Sequence, residues 1–382
     1  MRRVHVVAGL ATLAAVFAFG VVMFGAFVRL SNAGLSCPDW PTCYGQVTWP
    51  TQSHEVARAD AAFPSRPVES HKAWREQVHR FLAGTLGVMV LALALLATWR
   101  RPWFRTAVIV AALAAAGGTM AWITGQPALS GVLATLAIAL PLTVAATMVR
   151  EPPWRLAVLA FALIVFQAML GMWTVTWLLK PVVVMSHLLG GMLLFALLAY
   201  VALRLNGVGD GHGRDPGLRH LLGLGILLLV CQIALGGWTS SNYAAMACGF
   251  GDVAFPKCLN QWWPAMNFHD GFILWRGIGV DYEGGVLDLP ARTAIQMVHR
   301  MGAAVVLVYL AWLALRIRKA GLGWFAAAIG VALLAQIGLG IANVHYGLPL
   351  PLATAHNGVA AVLLFTLLLA LARMQRRVPL GA

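Results

Sequence analysis

Glu76-Gln77-Val78-His79-Arg80 opens an apolar run that continues from Phe81 to Trp99. Ionisable groups at the mouth of a membrane helix are expensive to bury and need a reason. Glu76 and His79 are three residues apart, so they share one face of a helix. The pattern recurs once, as Gln296-Met297-Val298-His299-Arg300, at the mouth of another apolar run. The second copy keeps the His-Arg pair and has Gln where the first has Glu. The chain therefore reads as two copies of one unit, one of which has kept an acid.

Working outward, the composition agrees with a chain that lives in a membrane. Of 382 residues 60% are hydrophobic and only 10% are charged, which marks a polytopic membrane protein. The formal charge of +14 is a matter of topology rather than of nucleic-acid binding, because Lys and Arg gather in short loops and at helix ends. Apolar runs long enough to span lie near 4–27, 78–98, 106–124, 129–149, 156–177, 181–203, 221–238, 294–315, 324–343 and 352–371. Met1-Arg2-Arg3 and the run behind it resemble a signal peptide, but no small-residue cleavage site follows, so the run reads as a retained first helix. An even number of spans puts both termini on one side. On that side fall Arg2, Arg3, Arg100, Arg101, Arg105, Arg150, Arg155, Arg204, Arg214, Arg219, Arg316, Arg318, Lys319, Arg373, Arg376 and Arg377. Both termini are thus expected in the cytoplasm, with long loops at about 29–75 and 239–291 facing outward.

Those loops hold four of the five cysteines. Cys37 and Cys43 are six apart, and Cys248 and Cys258 are ten apart. An oxidising outer compartment favours one disulfide within each loop. A redox-active role for Cys37 and Cys43 stays open. Cys231 lies within a span and reads as a small apolar residue.

A second repeat signal runs through the later helices. Gln167 is followed by Gly171 and, twenty residues after the Gln, by His187; Gln336 is followed by Gly340 and, at the same interval, by His356. Gln232 and Gly236 repeat the Gln-x-x-x-Gly. Each half is then a helix, a loop with two cysteines, a helix opening with His-Arg, a Gln-x-x-x-Gly helix, and a helix with a second His. The expected fold is an all-α integral membrane protein of two repeated four-helix bundles, residues 1–206 and 207–382. The spacing breaks once: His79 to Gln167 is 88 residues, His299 to Gln336 only 37. The difference is a two-helix hairpin, about 104–150, with no ionisable residue inside either span. It reads as peripheral, packing against lipid or a partner such as a second copy of the chain, and as something the chemistry does not need.

His79, His187, His299 and His356 are read as about five to eight residues inside the outer end of their helices, roughly 10 Å deep at 1.5 Å per residue. A lone buried His is usually a satisfied core residue; four at one level, two per repeat, point to ligation. Helix bundles build cofactor sites from facing side chains. Two His per unit, with no carboxylate or thiolate partner beside them in the second unit, suit axial ligation of haem iron. Zinc and di-metal sites want further ligands. Arg80 and Arg300 follow a His directly and are placed for anionic propionates. Arg29, Arg75, Lys180 and Arg292 at the same level read as ordinary interfacial cations.

Taken together, Glu76-x-x-His79-Arg80, the segment Arg29-Leu30-Ser31-Asn32-Ala33-Gly34-Leu35-Ser36-Cys37-Pro38-Asp39-Trp40-Pro41, the segment Trp238-Thr239-Ser240-Ser241-Asn242-Tyr243 and the paired histidines resemble the haem A synthase family. The likeness spans nearly all of the chain outside the hairpin, which departs from the family's two four-helix halves. It implies a bacterial inner-membrane enzyme that oxidises the C8 methyl of haem O to a formyl group by successive hydroxylations. It implies that Glu76 is catalytic, that His79 and His187, with Arg80, bind the substrate haem, and that His299 and His356 are axial ligands of a haem b. Haem O synthase and cytochrome oxidase assembly are the implied partners, with an electron acceptor that the sequence does not name. Two other readings use the same residues. A di-haem electron-transfer cytochrome explains the four histidines but not the Glu76/Gln296 difference. A transporter with parallel repeats would bind no iron.

Overall fold

The computed structural model describes residues 2–149, 151–209 and 215–376; Arg150, Arg214 and Arg377 of the topology argument lie outside them. Among the described residues regular structure is helical, apart from two isolated bridges in the loops. The long helices are α1 (Arg2–Leu30), α3 (Ser70–Ala97), α4 (Pro102–Ile123), α5 (Pro127–Thr147), α6 (Pro152–Thr176), α7 (Pro181–Leu205), α8 (Pro216–Ser241), α10 (Leu289–Lys319), α11 (Gly323–His345) and α12 (Leu350–Arg373). Two short ones, α2 (Ser53–Ala62) and α9 (Phe268–Gly271), lie in the first and second long loops. All ten long helices are long and apolar enough to cross a bilayer. The chain is an all-α multi-pass membrane protein.

Helix starts follow local chemistry. α4, α5, α7 and α8 open on a proline, whose fixed φ suits the first turn and whose missing N–H would have no partner there. The Asp288 side chain caps α10 by accepting from the Ala291 N–H at 2.9 Å. α3 and α10 begin several residues before their apolar runs, because polar turns project into the loops. His79 and His299 therefore lie nine and ten residues into their helices, His187 and His356 six. The four fall about 9–15 Å from their helix starts. α2 had no signal in hydropathy; it is polar, and the Glu55 carboxylate accepts the Thr51 and Gln52 N–H groups that open it.

The chain divides into two compact units, and α7 is shared between them. The first contains α1 to α6 and the later part of α7, from residue 190. Within it α1 packs on α3 and α3 on α6, while Phe195 of α7 meets Phe19 of α1 at 5.9 Å. The hairpin adjoins this group, α4 against α3 and α5 against α6. At Gly118 an added Cβ would touch Leu133 Cβ and the Ser130 carbonyl, both at 3.4 Å, so α4 and α5 lie close. The second unit contains residues 177–189 and the helices from α8 to α12. There α8, α10, α11 and α12 close a ring, each packed on the next.

Candidate functional site

In the first unit, α3 carries Glu76, His79 and Arg80 on one face. Glu76 is buried, 5% exposed, yet its carboxylate is fully engaged. Oε1 meets Arg80 Nη2 at 2.5 Å, and Oε2 accepts from the Cys37 N–H at 2.9 Å and the Ser36 hydroxyl at 3.3 Å. Arg80 Nη1 donates to the carbonyls of Asp39 at 2.8 Å and Thr42 at 2.6 Å, and Nη2 to that of Cys37 at 3.3 Å. The loop from Ser36 to Thr42 is thus wrapped around one ion pair. Both charges have left water, a cost that Coulomb attraction repays only when the remaining polar atoms are also bonded. Here they are, by charge-assisted bonds, which are the stronger kind.

The loop is rigid in its own right. Cys37 and Cys43 are disulfide-bonded and fully buried. The Asp39 carboxylate accepts from the Thr42 hydroxyl and from the Tyr44 and Gly45 N–H groups. Cys43 and Gln46 pair across a tight turn with Tyr44 and Gly45 at φ 55° and 73°. Burial, with Asp60 and Glu76 nearby, pushes the Tyr44 phenol up to about 12. That hydroxyl reaches the Arg66 and Pro67 carbonyls.

The second unit repeats the loop but fills it differently. Cys248 and Cys258 are also disulfide-bonded, and Cys258 pairs with Gln261 across Leu259 and Asn260 at φ 52° and 61°. Arg300 Nη1 donates to the Lys257 carbonyl at 3.0 Å, as Arg80 does to Thr42, each the residue before the second cysteine. The shared sequence is an aromatic residue, Pro, any residue, Cys, two residues, Gln: Trp40 to Gln46 and Phe255 to Gln261. A repeat search on His and Gln-x-x-x-Gly passes over it. The acid, however, is missing. Gln296 is buried, and its Oε1 has no partner, nor has Thr293 Oγ1 one turn earlier or Arg300 Nη2 one turn later.

Glycines receive the histidine rings. A Cβ at Gly25 of α1 would lie 2.9 Å from His79 Cε1, one at Gly236 of α8 3.3 Å from His299 Cε1, and one at Gly340 of α11 3.2 Å from His356 Cε1. In the second unit the Gln-x-x-x-Gly motif has a structural meaning, whereas Gln167 Nε2 of the first copy has no partner. The Gly makes room for an imidazole, and the Gln one turn earlier reaches the same ring: Gln232 Nε2 is 3.0 Å from His299 Nδ1, Gln336 Nε2 3.3 Å from His356 Nε2. Gly25 escaped the sequence search because Val21, not Gln, stands four residues before it. Phe24 lies against the His79 ring at 6.4 Å. His187 belongs to the second unit, near the start of α7. Of the other cations at this level, Arg75 lies over Phe27 and Trp74, and the fully buried Lys180 ammonium sits 3.3 Å from the Trp275 ring centre.

This donor set suits haem better than a bare ion. No group of three or more His, Cys, Asp or Glu side chains able to hold a metal occurs among the described residues. A haem asks the protein for only two axial ligands, and His299 and His356 lie in one closed four-helix ring, each ring seated on a glycine.

Comparison with known proteins gives consistent matches. The family model described as cytochrome oxidase assembly protein matches residues 8–131 and 128–368. A protein of Shewanella oneidensis named heme A synthase is 38% identical over 355 residues, 92% of each chain. One of the same name from Rhizorhabdus wittichii is 26% identical over 385 residues, covering 96% of this chain and 93% of its own. Another, from Paracoccus denitrificans, is 28% identical over 381 residues, covering 94% and 84%.

Proposed function

The chain belongs to the cytochrome oxidase assembly protein family, and on that premise we propose that it is a haem A synthase, converting haem O to haem A. The finer reading is that the C8 methyl of haem O is oxidised to a formyl group by successive hydroxylations. The observation that carries it is the asymmetry between the copies: one buried acid, Glu76, bonded on both oxygens beside His79, against Gln296 beside His299.

In this reading residues 1–206 are the substrate half, with His79 toward the substrate iron, and residues 207–382 the haem b half, with His299 and His356 as axial ligands. A haem b held there would supply a one-electron redox centre for the electrons that methyl oxidation releases. Glu76 takes up a proton released as the methyl is oxidised, or positions water at the porphyrin edge. A positioned carboxylate has about a 10²–10⁴-fold effect on such a step. Arg80 is the cation that faces Glu76. The two loops close over the mouths of α3 and α10. Arg300, with Nη2 unpartnered, is the better placed of the two arginines for a propionate. The protein is assigned to the bacterial inner membrane with both termini cytoplasmic, working beside haem O synthase in cytochrome oxidase assembly.

The test is co-expression with a haem O synthase in cells that make no haem A, followed by chromatography of the extracted haems. Haem A or a hydroxylated intermediate is expected besides haem b. Haem b alone would favour the electron-transfer cytochrome, which the four histidines also suit.

A further inference from the structure

The inserted hairpin is not isolated from the site. Trp122, in the last turn of α4, donates its indole N–H to the Trp40 carbonyl at 3.1 Å. Trp40 follows Asp39 and stands two residues before Thr42, and the carbonyls of Asp39 and Thr42 hold Arg80 Nη1. The same guanidinium holds Glu76. One hydrogen bond therefore joins the hairpin to the short segment that fixes the ion pair. The hairpin is a firm anchor, because α4 packs tightly on α5 through Gly118 and α5 on α6. The second loop has the same disulfide-linked turn and the same arginine bond, but the spacing of its half leaves no room for a hairpin. It serves as a built-in reference.

We propose that the hairpin braces the first loop, and that Trp122 is a positioning residue that holds the Asp39–Thr42 segment where it fixes Arg80 and, through it, Glu76. The claim on Glu76 rests on the catalytic role proposed above; the brace itself does not.

The test uses the full-length protein in lipid nanodiscs and the variants Trp122→Phe and Trp122→His. Phe keeps an aromatic ring and loses only the donor. His restores it, because imidazole Nε2 and indole Nε1 occupy the same place in their five-membered rings. The rate at which a water-soluble phosphine reduces each disulfide is read by alkylation and peptide mass spectrometry. Both cystines are fully buried, so reduction reports local opening. With Trp122→Phe, Cys37–Cys43 should reduce about 3- to 10-fold faster, the weight of one neutral hydrogen bond. Cys248–Cys258, the thermal midpoint and the haem b content should not change, and Trp122→His should recover much of the slow rate. Haem A output should fall several-fold with Phe. An unchanged Cys37–Cys43 rate, or both cystines accelerating together, overturns the brace. Selective acceleration with full haem A output overturns the positioning role. No haem A from the parent protein overturns the proposed function instead, and the disulfide rates still decide the brace. If Trp122→Phe fails to accumulate, Trp122→His against the parent protein decides it: accumulation with a near-parent rate upholds the donor, and a rate as fast as that of the unfolded, still oxidised protein overturns it.

Discussion

The mouths of α3 and α10 share one design and differ in one charge. In both, an arginine directly after a histidine donates to the carbonyl before the second cysteine of a disulfide-linked turn. In the first, Glu76 engages that arginine, the Cys37 N–H and the Ser36 hydroxyl, and the arginine in turn holds the loop's carbonyls. In the second, Gln296, Thr293 and Arg300 keep unpartnered polar atoms. The position is buried in both mouths, but only in the first does the loop donate to it. If Glu76 serves the substrate as proposed, that loop is what holds it in place.

The sharpest break of the comparison would come at the histidines. His299→Ala or His356→Ala should abolish tightly bound haem b, since each leaves one axial ligand. Optical spectra of the purified variants check this; a normal six-coordinate spectrum in both would refute the assignment of the second half.

Next in size is Glu76→Gln, which turns the first mouth into a likeness of the second. Haem A output should fall about 10²–10⁴-fold with haem b retained. Removing the acid also leaves Arg80 buried with only carbonyl partners. Breaking such a pair costs about 3–5 kcal/mol, so the first loop should loosen as well. A loosened loop with nearly full output would reduce Glu76 to an ion-pair partner.

A smaller effect separates the glycine seats. Gly25→Ala sets a Cβ 2.9 Å from His79 Cε1, where something must move; Gly236→Ala sets one 3.3 Å from His299 Cε1, where a small adjustment suffices. Overpacking of this kind costs about 1–3 kcal/mol. Thermal unfolding should rank Gly25→Ala as the more harmful. The reverse order would mean that the second unit is the less yielding.

Most of this fold was legible in the sequence. Span number, the hairpin and both disulfide pairs follow from hydropathy, spacing and compartment, because bilayer thickness and loop closure leave few alternatives. What pattern could not give lies in tertiary contact. Arg80 reads as a propionate partner beside His79, and its bonds to Glu76 and to the carbonyls of Cys37, Asp39 and Thr42 are seen only in the folded loop. Gly25 is one glycine in an apolar run until a histidine from another helix meets it. Trp122 is an interfacial aromatic until its N–H finds a carbonyl 82 residues away.

The smallest expected effect closes the comparison from the other side. Gln296→Glu gives the second mouth its acid. Arg300 Nη2 is unpartnered, so the new carboxylate has a cation on its own helix, four residues on, as Glu76 has Arg80. It lacks the rest: a loop that supplies a backbone N–H and a serine hydroxyl, as Cys37 and Ser36 do. Desolvation therefore offsets most of the attraction, and stability should change by no more than about 1 kcal/mol in either direction. Haem A output should stay unchanged, and Gln296→Glu should not rescue Glu76→Gln. Rescue in the double variant would mean that an acid at either mouth can serve, and that the division of labour between the halves is not set by this residue. A stability gain of several kcal/mol would mean that the second loop already holds donors for a carboxylate, and that its glutamine was kept for a reason other than the cost of burying charge.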